Sequence, residues 1–228
     1  MMKYIFNTFL LFILSFLIIS ACDNKPIAPV SKSRFHLSSS SAKPVKSDKK
    51  IKVALVPFSG VDASYSTLLK SEIELFYACD VIILPKQNLP DFAYYEPRNR
   101  YKADSLLKFL KMKLPKEYNF ILGITNKDIS TKDETYEDWG IFGLGFLGGP
   151  SCVVSDFRLK KSAKDINHLH ERLIKVVLHE LGHTFGLPHC TADNSCLMED
   201  ADGTIKSVDR EEKYLCESCK KKLPKGIK

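Results

Sequence analysis

Long apolar runs are scarce in this chain. Its one candidate, Ile5 to Ile19, is too short to cross a bilayer comfortably, so no membrane-spanning body is expected. Nucleotide fingerprints are missing too. The stretch Trp139 to Gly149 carries Gly140, Gly143, Gly145, Gly148 and Gly149, yet its flanking elements are wrong for a dinucleotide or phosphate loop. Nothing resembles a nucleic-acid-binding module either. The formal charge is +7, from 34 basic and 27 acidic residues, but the lysines are scattered and no aromatic stripe runs through them. A solvated face or tail accounts for the excess, with an anionic membrane surface as a weak secondary partner and no nucleic acid expected. The stretch before the folded region has no cysteine after Cys22, which leaves no thiol switch for a metal there.

What is present is a 44% apolar chain of 228 residues, enough for one folded domain with a proper core. Residues 1–21 read as an export signal: Lys3 supplies the positive start and Ile5 to Ile19 the apolar region. The end of that region, Leu17-Ile18-Ile19-Ser20-Ala21-Cys22, resembles the lipobox of bacterial lipoproteins. The resemblance implies cleavage before Cys22, lipidation of its thiol and a diacylglycerol anchor, since one acyl chain alone binds only marginally. An uncleaved signal anchor is the alternative. Residues 22–50, with Ser38-Ser39-Ser40-Ser41 and scattered lysines and prolines, read as a flexible tether. The expected location is therefore the bacterial cell envelope, lipid-anchored and outside the cytoplasm, with the folded domain spanning 51–228.

Within that domain, Ile51 to Phe58 reads as a buried strand, Leu68 to Cys79 as a helix and Asp80 to Pro85 as a second strand. Pro90 to Arg100 reads as an aromatic loop, Tyr101 to Leu114 as a helix and Asn119 to Thr125 as a third strand. Ser151 to Leu159 is the next strand, expected at the sheet edge beside the cleft, where an extended peptide could add. Alternating strands and helices predict an α/β (α+β) fold with a mostly parallel sheet. Ser162-x-x-Asp165 reads as a capping box for a long helix whose apolar stripe is Ile166, Leu169, Leu173, Val177, Leu181 and Thr184. His168 and His170, two apart, cannot share a helix face and read as surface residues. Cys79 and Cys152 fall on buried elements and read as core thiols.

That helix ends in His179-Glu180-Leu181-Gly182-His183-Thr184-Phe185-Gly186-Leu187-Pro188-His189, the pattern H-E-x-x-H-x-x-G-x-x-H. At this composition a chance match to five specified positions is on the order of one in a hundred thousand. His179 and His183, one turn apart, project from the same face. Gly186 can take positive φ and turn the chain back, and Pro188 stiffens the return that brings His189 in as a third ligand. Three neutral imidazoles and one open position describe a catalytic zinc site, and Glu180 is placed to reach a water on the metal without ligating it. The bland alternative is an amphipathic helix with satisfied core histidines.

Downstream lie Cys190, Cys196-Leu197-Met198 and, after seventeen further residues, Cys216-Glu217-Ser218-Cys219. Read with the histidine helix, this pattern resembles the archaemetzincin family. The chain departs from it in one spacing, with Thr191 to Ser195 putting five residues between the first two cysteines where the family usually has four. Glu217 also stands where proline is often expected. The resemblance implies a metzincin fold: a twisted, mostly parallel sheet, three main helices including the active-site helix, and a turn beneath the catalytic zinc containing Met198. It also implies that Cys190, Cys196, Cys216 and Cys219 hold a second, structural zinc; from spacing alone, two disulfides remain open.

The expected activity is zinc-dependent hydrolysis of peptide bonds in a peptide or protein substrate, with Glu180 as general base. The chain is expected to act as a monomer. The alternative class is a zinc-stabilised surface lipoprotein that binds a peptide or protein partner without catalysis, for which Glu180 would have no use.

Overall fold

The computed structural model describes residues 50–133, 135–200 and 203–227. The predicted signal 1–21, the lipidation site Cys22 and the tether up to residue 49 lie outside the described residues. In chain order the elements are β1 (Lys52–Pro57), α1 (Ala63–Tyr77), β2 (Asp80–Ile83), β3 (Tyr94–Tyr95), β4 (Arg100–Lys102), α2 (Ala103–Lys113), β5 (Phe120–Thr125) and β6 (Ile129–Thr131). Then follow β7 (Trp139–Ile141), β8 (Gly143–Gly145), β9 (Ser151–Ser155), α3 (Ile166–Thr184), α4 (Ile205–Arg210) and α5 (Glu217–Lys220). Among the described residues no helix is long and apolar enough to cross a membrane.

The main sheet has the order β2-β1-β5-β9-β8, parallel throughout except for β8, which runs antiparallel to β9. A small second sheet, β3-β4-β6-β7, stands beside it. The expected mixed α/β fold with a mostly parallel sheet and three main helices is what the chain adopts.

Strands β1, β5 and β9 read as continuous apolar runs because helices cover both faces. Val53, Leu55, Leu122, Ile124, Cys152 and Val154 point to one core with Ile73 and Tyr77 of α1 and Leu173, Val177 and Leu181 of α3. The alternate residues Ala54, Val56, Ile121 and Val153 meet Leu106, Leu107 and Leu110 of α2 on the other face. Cys79 and Cys152 are buried in the first core, as expected.

Five readings are corrected, the sheet edge last. Helix α1 starts five residues before Leu68: Asp62 caps it, its Oδ1 accepting the Ser64 N–H at 2.9 Å. That first turn is polar outward, so apolar periodicity does not register it. The cap of α3 is Asp165, which accepts the His168 N–H at 2.8 Å; Ser162 instead sits at φ +55° and bonds the Lys161 carbonyl. Ile166 is exposed, so the buried stripe begins at Leu169. Within the aromatic stretch 90–100, β3 and the start of β4 pair antiparallel.

The sheet edge differs most. Strand β9 ends at Ser155 and lies inside the sheet, between β5 and β8. The edge is β8, drawn from the glycine-rich stretch 139–149, to which the sequence assigned no strand.

Helix α3 is anchored along its length. Arg172, only 2% exposed, forks onto Asp209 at 2.6 and 2.7 Å and donates to the Leu159 and Lys161 carbonyls. His168 also bonds Asp209 at 2.9 Å, and Tyr77 donates to the Leu178 carbonyl at 2.7 Å. These ties set the axial position of the helix whose last two turns carry the histidines.

Candidate metal centre and catalytic cleft

Helix α3 closes in a turn that aims the chain back at its own last residues. Gly186, at φ +92°, donates its N–H to His183 O at 2.9 Å, and Leu187 N–H reaches Gly182 O at 2.9 Å. This paired arrangement is the Schellman ending, which needs a residue free to enter the left-handed region. Pro188 and His189 follow directly. The result brings one donor atom each of His179, His183 and His189 within 4.8 Å of one another. Three nitrogens each about 2.1 Å from one tetrahedral zinc stand about 3.4 Å apart, a spacing within that limit.

Two of the imidazoles are held by carbonyls. His179 Nδ1 donates to Leu197 O at 2.7 Å, and His183 Nδ1 to Leu187 O at 2.8 Å. A carbonyl can only accept, so both rings carry their proton on Nδ1 and keep the Nε2 lone pair for a metal. His189 Nδ1 lies 3.2 Å from Asp200. Burial, then the neighbouring His183, hold His179 down at about 3, and burial lowers His183 as well. Neutral imidazole is the form that ligates.

Met198 lies under this helix. It is fully buried with Cys196 and Leu197, and a Cβ on Gly182 would sit 2.5 Å from its sulfur. Glycine at 182 therefore lets the Cys196–Met198 turn approach closely enough for Leu197 O to orient His179. The Met198 carbonyl also accepts the Cys190 N–H at 2.6 Å, joining this turn to the chain just after His189.

Glu180 faces a cleft of about 510 Å³ bounded by β8, Trp139, Ile141, Leu147, Val176 and the three histidines. Strand β8 lies directly on it: a Cβ on Gly143 would meet Glu180 Cγ at 2.6 Å, and one on Gly145 would meet Glu180 O at 2.4 Å. The glycines are thus required by contact with α3. Burial pushes the Glu180 carboxyl up to about 8, against the Gly145 N–H that stabilises its anion and with a push from Glu211. Upstream, Gly140 makes room for Arg158, which pairs with Asp128 at 2.6 and 3.0 Å and steadies the cleft wall.

The four cysteines converge separately. Cys190, Cys196, Cys216 and Cys219 place their sulfurs within 4.8 Å of one another, and all are unbridged thiols. Two of the separations are 3.6 Å (Cys190–Cys216) and 3.9 Å (Cys196–Cys219). A tetrahedron with Zn–S of about 2.3 Å has edges of about 3.75 Å, whereas a disulfide needs about 2.05 Å. The donor set therefore fits a closed tetrathiolate metal site. The extra residue in the Thr191–Ser195 spacer is absorbed by a turn in which Asp193 accepts the Ser195 N–H at 2.9 Å and the Tyr214 hydroxyl.

Reading by residue type named seven candidate metal-binding residues, Glu180 and Met198; the fold gathers the seven into two clusters, with Glu180 in the cleft and Met198 beneath α3. It missed the supports: the Leu197 carbonyl, the Arg172–Asp209 pair and Glu211. Carbonyl direction leaves no mark on residue type. Gly143 and Gly145, two apart on one strand face, were visible as glycines but not as contacts.

A mostly parallel α/β sheet, a helix carrying two histidines and a glutamate, and a third histidine on the return make this a zinc metallopeptidase. The family model described as Peptidase family M54 matches residues 61–225, and the chain belongs to that family, the archaemetzincins. It is 33% identical over 180 residues to the archaemetzincin of Halobacterium salinarum, an alignment covering 75% of this chain and 98% of that one. Among solved structures, the archaemetzincin of Archaeoglobus fulgidus superposes with a TM-score of 0.65 at 30% identity, over 76% of this chain and all (100%) of the other. That of Methanopyrus kandleri gives 0.64 at 31% identity, over 78% and 95%.

Proposed function

We propose that this chain hydrolyses peptide bonds with His179, His183 and His189 holding the catalytic zinc and Glu180 as general base. The observation that carries the reading is the convergence of the three imidazole donors within 4.8 Å beside a buried carboxylate in one cleft. Zinc held there supplies Lewis acidity for the scissile carbonyl and a water that loses its proton near neutral pH. Glu180 accepts that proton and returns it to the departing amine nitrogen. The Gly145 N–H orients the carboxylate between these two duties. Edge strand β8 offers its outer backbone groups to an extended substrate, which would run along it as an added strand. Glu180→Gln is the test: zinc content should stay at the native level while kcat/KM falls about 10²–10⁴-fold. Undiminished hydrolysis at full metal occupancy would sink the assignment.

In the same reading, Cys190, Cys196, Cys216 and Cys219 hold a second, structural zinc, supported by sulfur separations close to a tetrahedral edge. Met198 packs beneath the catalytic zinc without ligating it. Residues 1–21 direct export, Cys22 carries the lipid, 22–50 tether the domain 51–228 to the bacterial envelope, and the enzyme works as a monomer. Membrane fractions from cells producing Cys22→Ser should lose the protein to the soluble fraction; retention there would refute the lipid anchor.

A further inference from the structure

One carboxylate in the cleft has no part in the chemistry above. Glu211, just beyond α4, is 3% exposed and lines the same cavity as Glu180. Its Oε1 is sealed from solvent without a hydrogen-bond partner, and it forms no ion pair among the described residues. The cations in its neighbourhood are committed elsewhere. Lys175 Nζ donates to the Val208 and Asp209 carbonyls at 3.0 and 3.3 Å, and Arg210 bonds Glu199 at 2.8 Å. A buried, unpartnered carboxylate costs the fold stability, and such costs concentrate where a ligand completes the pairing. Burial, and then Glu199, push the Glu211 carboxyl up to about 7, against a weaker downward pull from Lys175 and Arg210.

The rest of the cavity indicates what would complete it. Its described lining includes the acids Glu180, Asp200 and Glu211 but no lysine or arginine. Val176 and Val208 add apolar wall to the same cavity. An aliphatic stem ending in a cation matches both features, because methylenes pack on valine while the head seeks a carboxylate. An acidic side chain set against Glu211 would meet like charge.

Resting on the peptidase reading, we propose that Glu211 is a specificity-determining residue that receives the lysine or arginine side chain of a substrate residue seated beside the metal centre. The test uses neutral octapeptides, N-acetylated and C-amidated, carrying one lysine at each position in turn, with norleucine counterparts. At one position relative to the cut bond, lysine should raise kcat/KM at least ~10-fold over norleucine, and in Glu211→Gln that ratio should fall towards one. A purely structural Glu211 would lower both rates together and leave the ratio unmoved. The proposal is overturned if no position favours lysine, if the preference survives Glu211→Gln, or if only a free α-amine is favoured. Calorimetric binding of the same peptides to zinc-loaded Glu180→Gln protein decides the question apart from turnover. Tighter lysine binding that is lost in the Glu180→Gln, Glu211→Gln double variant upholds the proposal, and equal binding of the two series refutes it. Absence of any cleavage by the native enzyme would count against the peptidase reading, while this binding comparison still tests Glu211. Melting temperature gives a further arm: relieved of an unpaired buried charge, Glu211→Gln should melt no lower than the native protein, and a marked drop would show a structural partner instead.

Discussion

The histidine cluster and the cysteine cluster are built on opposite plans. The histidines come from eleven consecutive residues, two on one helix face and one on its return, and they open into a cleft beside Glu180. The cysteines span Cys190 to Cys219, and two of the four are buried with fully or nearly fully covered side chains. An open, three-donor centre leaves a position for substrate and water; a closed, four-thiolate centre leaves none. The first is suited to chemistry and the second to holding the C-terminal segment against the core. Yet they are coupled, because the Cys190 N–H and the Met198 carbonyl meet at 2.6 Å between them.

This division can be broken most severely at the cysteines. Cys219→Ser should remove the closed metal site and cost roughly 5 kcal/mol or more, since the metal's binding free energy is folding free energy there. A large drop in melting temperature together with loss of one zinc would check it; an unchanged melting curve would show that the cluster is not structural. His189→Ala, by contrast, should abolish hydrolysis and leave the melting temperature nearly native.

Gly145→Ala comes next. The added methyl would stand 2.4 Å from Glu180 O and 2.9 Å from His183 Cβ, so β8 must shift. A displacement near 1 Å at the reacting groups can cost about 10²-fold in kcat/KM. Full zinc retention with that loss would confirm that the strand positions Glu180, and native kinetics would refute it.

Smaller is the effect of Asp209→Asn. Arg172, 2% exposed, would keep its charge and lose its anion. The expected cost is about 2 kcal/mol, below the range for a fully buried pair because the Asp209 side chain is 35% exposed and screened. The hydrogen bonds from Arg172, with help from His168, hold the Asp209 carboxyl down at about 2. A depressed carboxyl stabilises the fold above its unfolded value near ~3.9 and loses that contribution as pH falls through the folded value. Acid unfolding of the native protein should therefore include a component between about pH 4 and 2 that Asp209→Asn lacks.

Least disruptive is Met198→Leu. Similar volume predicts a loss under ~1.5 kcal/mol with the zinc content intact. Loss of a zinc ion would mean that the sulfur does more than pack against Gly182.

The local chemistry of the site was legible because its spacing is helical geometry written directly into the chain. Residues four apart share a face, a glycine permits the reversal, and a third histidine after it can return. Buried strands at Val53, Leu122 and Val153 declared themselves by uninterrupted apolar runs, which only a sheet covered on both sides requires. Strand β8 did not, since Gly143 and Gly145 carry no side chains to alternate; their meaning lies in how closely Glu180 approaches. The same holds for the Leu197 carbonyl on His179, the Asp209 carboxylate on Arg172 and the isolation of Glu211. Residue type and periodicity carry information over one turn or one strand. Contacts between segments tens of residues apart depend on how the layers pack, and only the folded chain decides them.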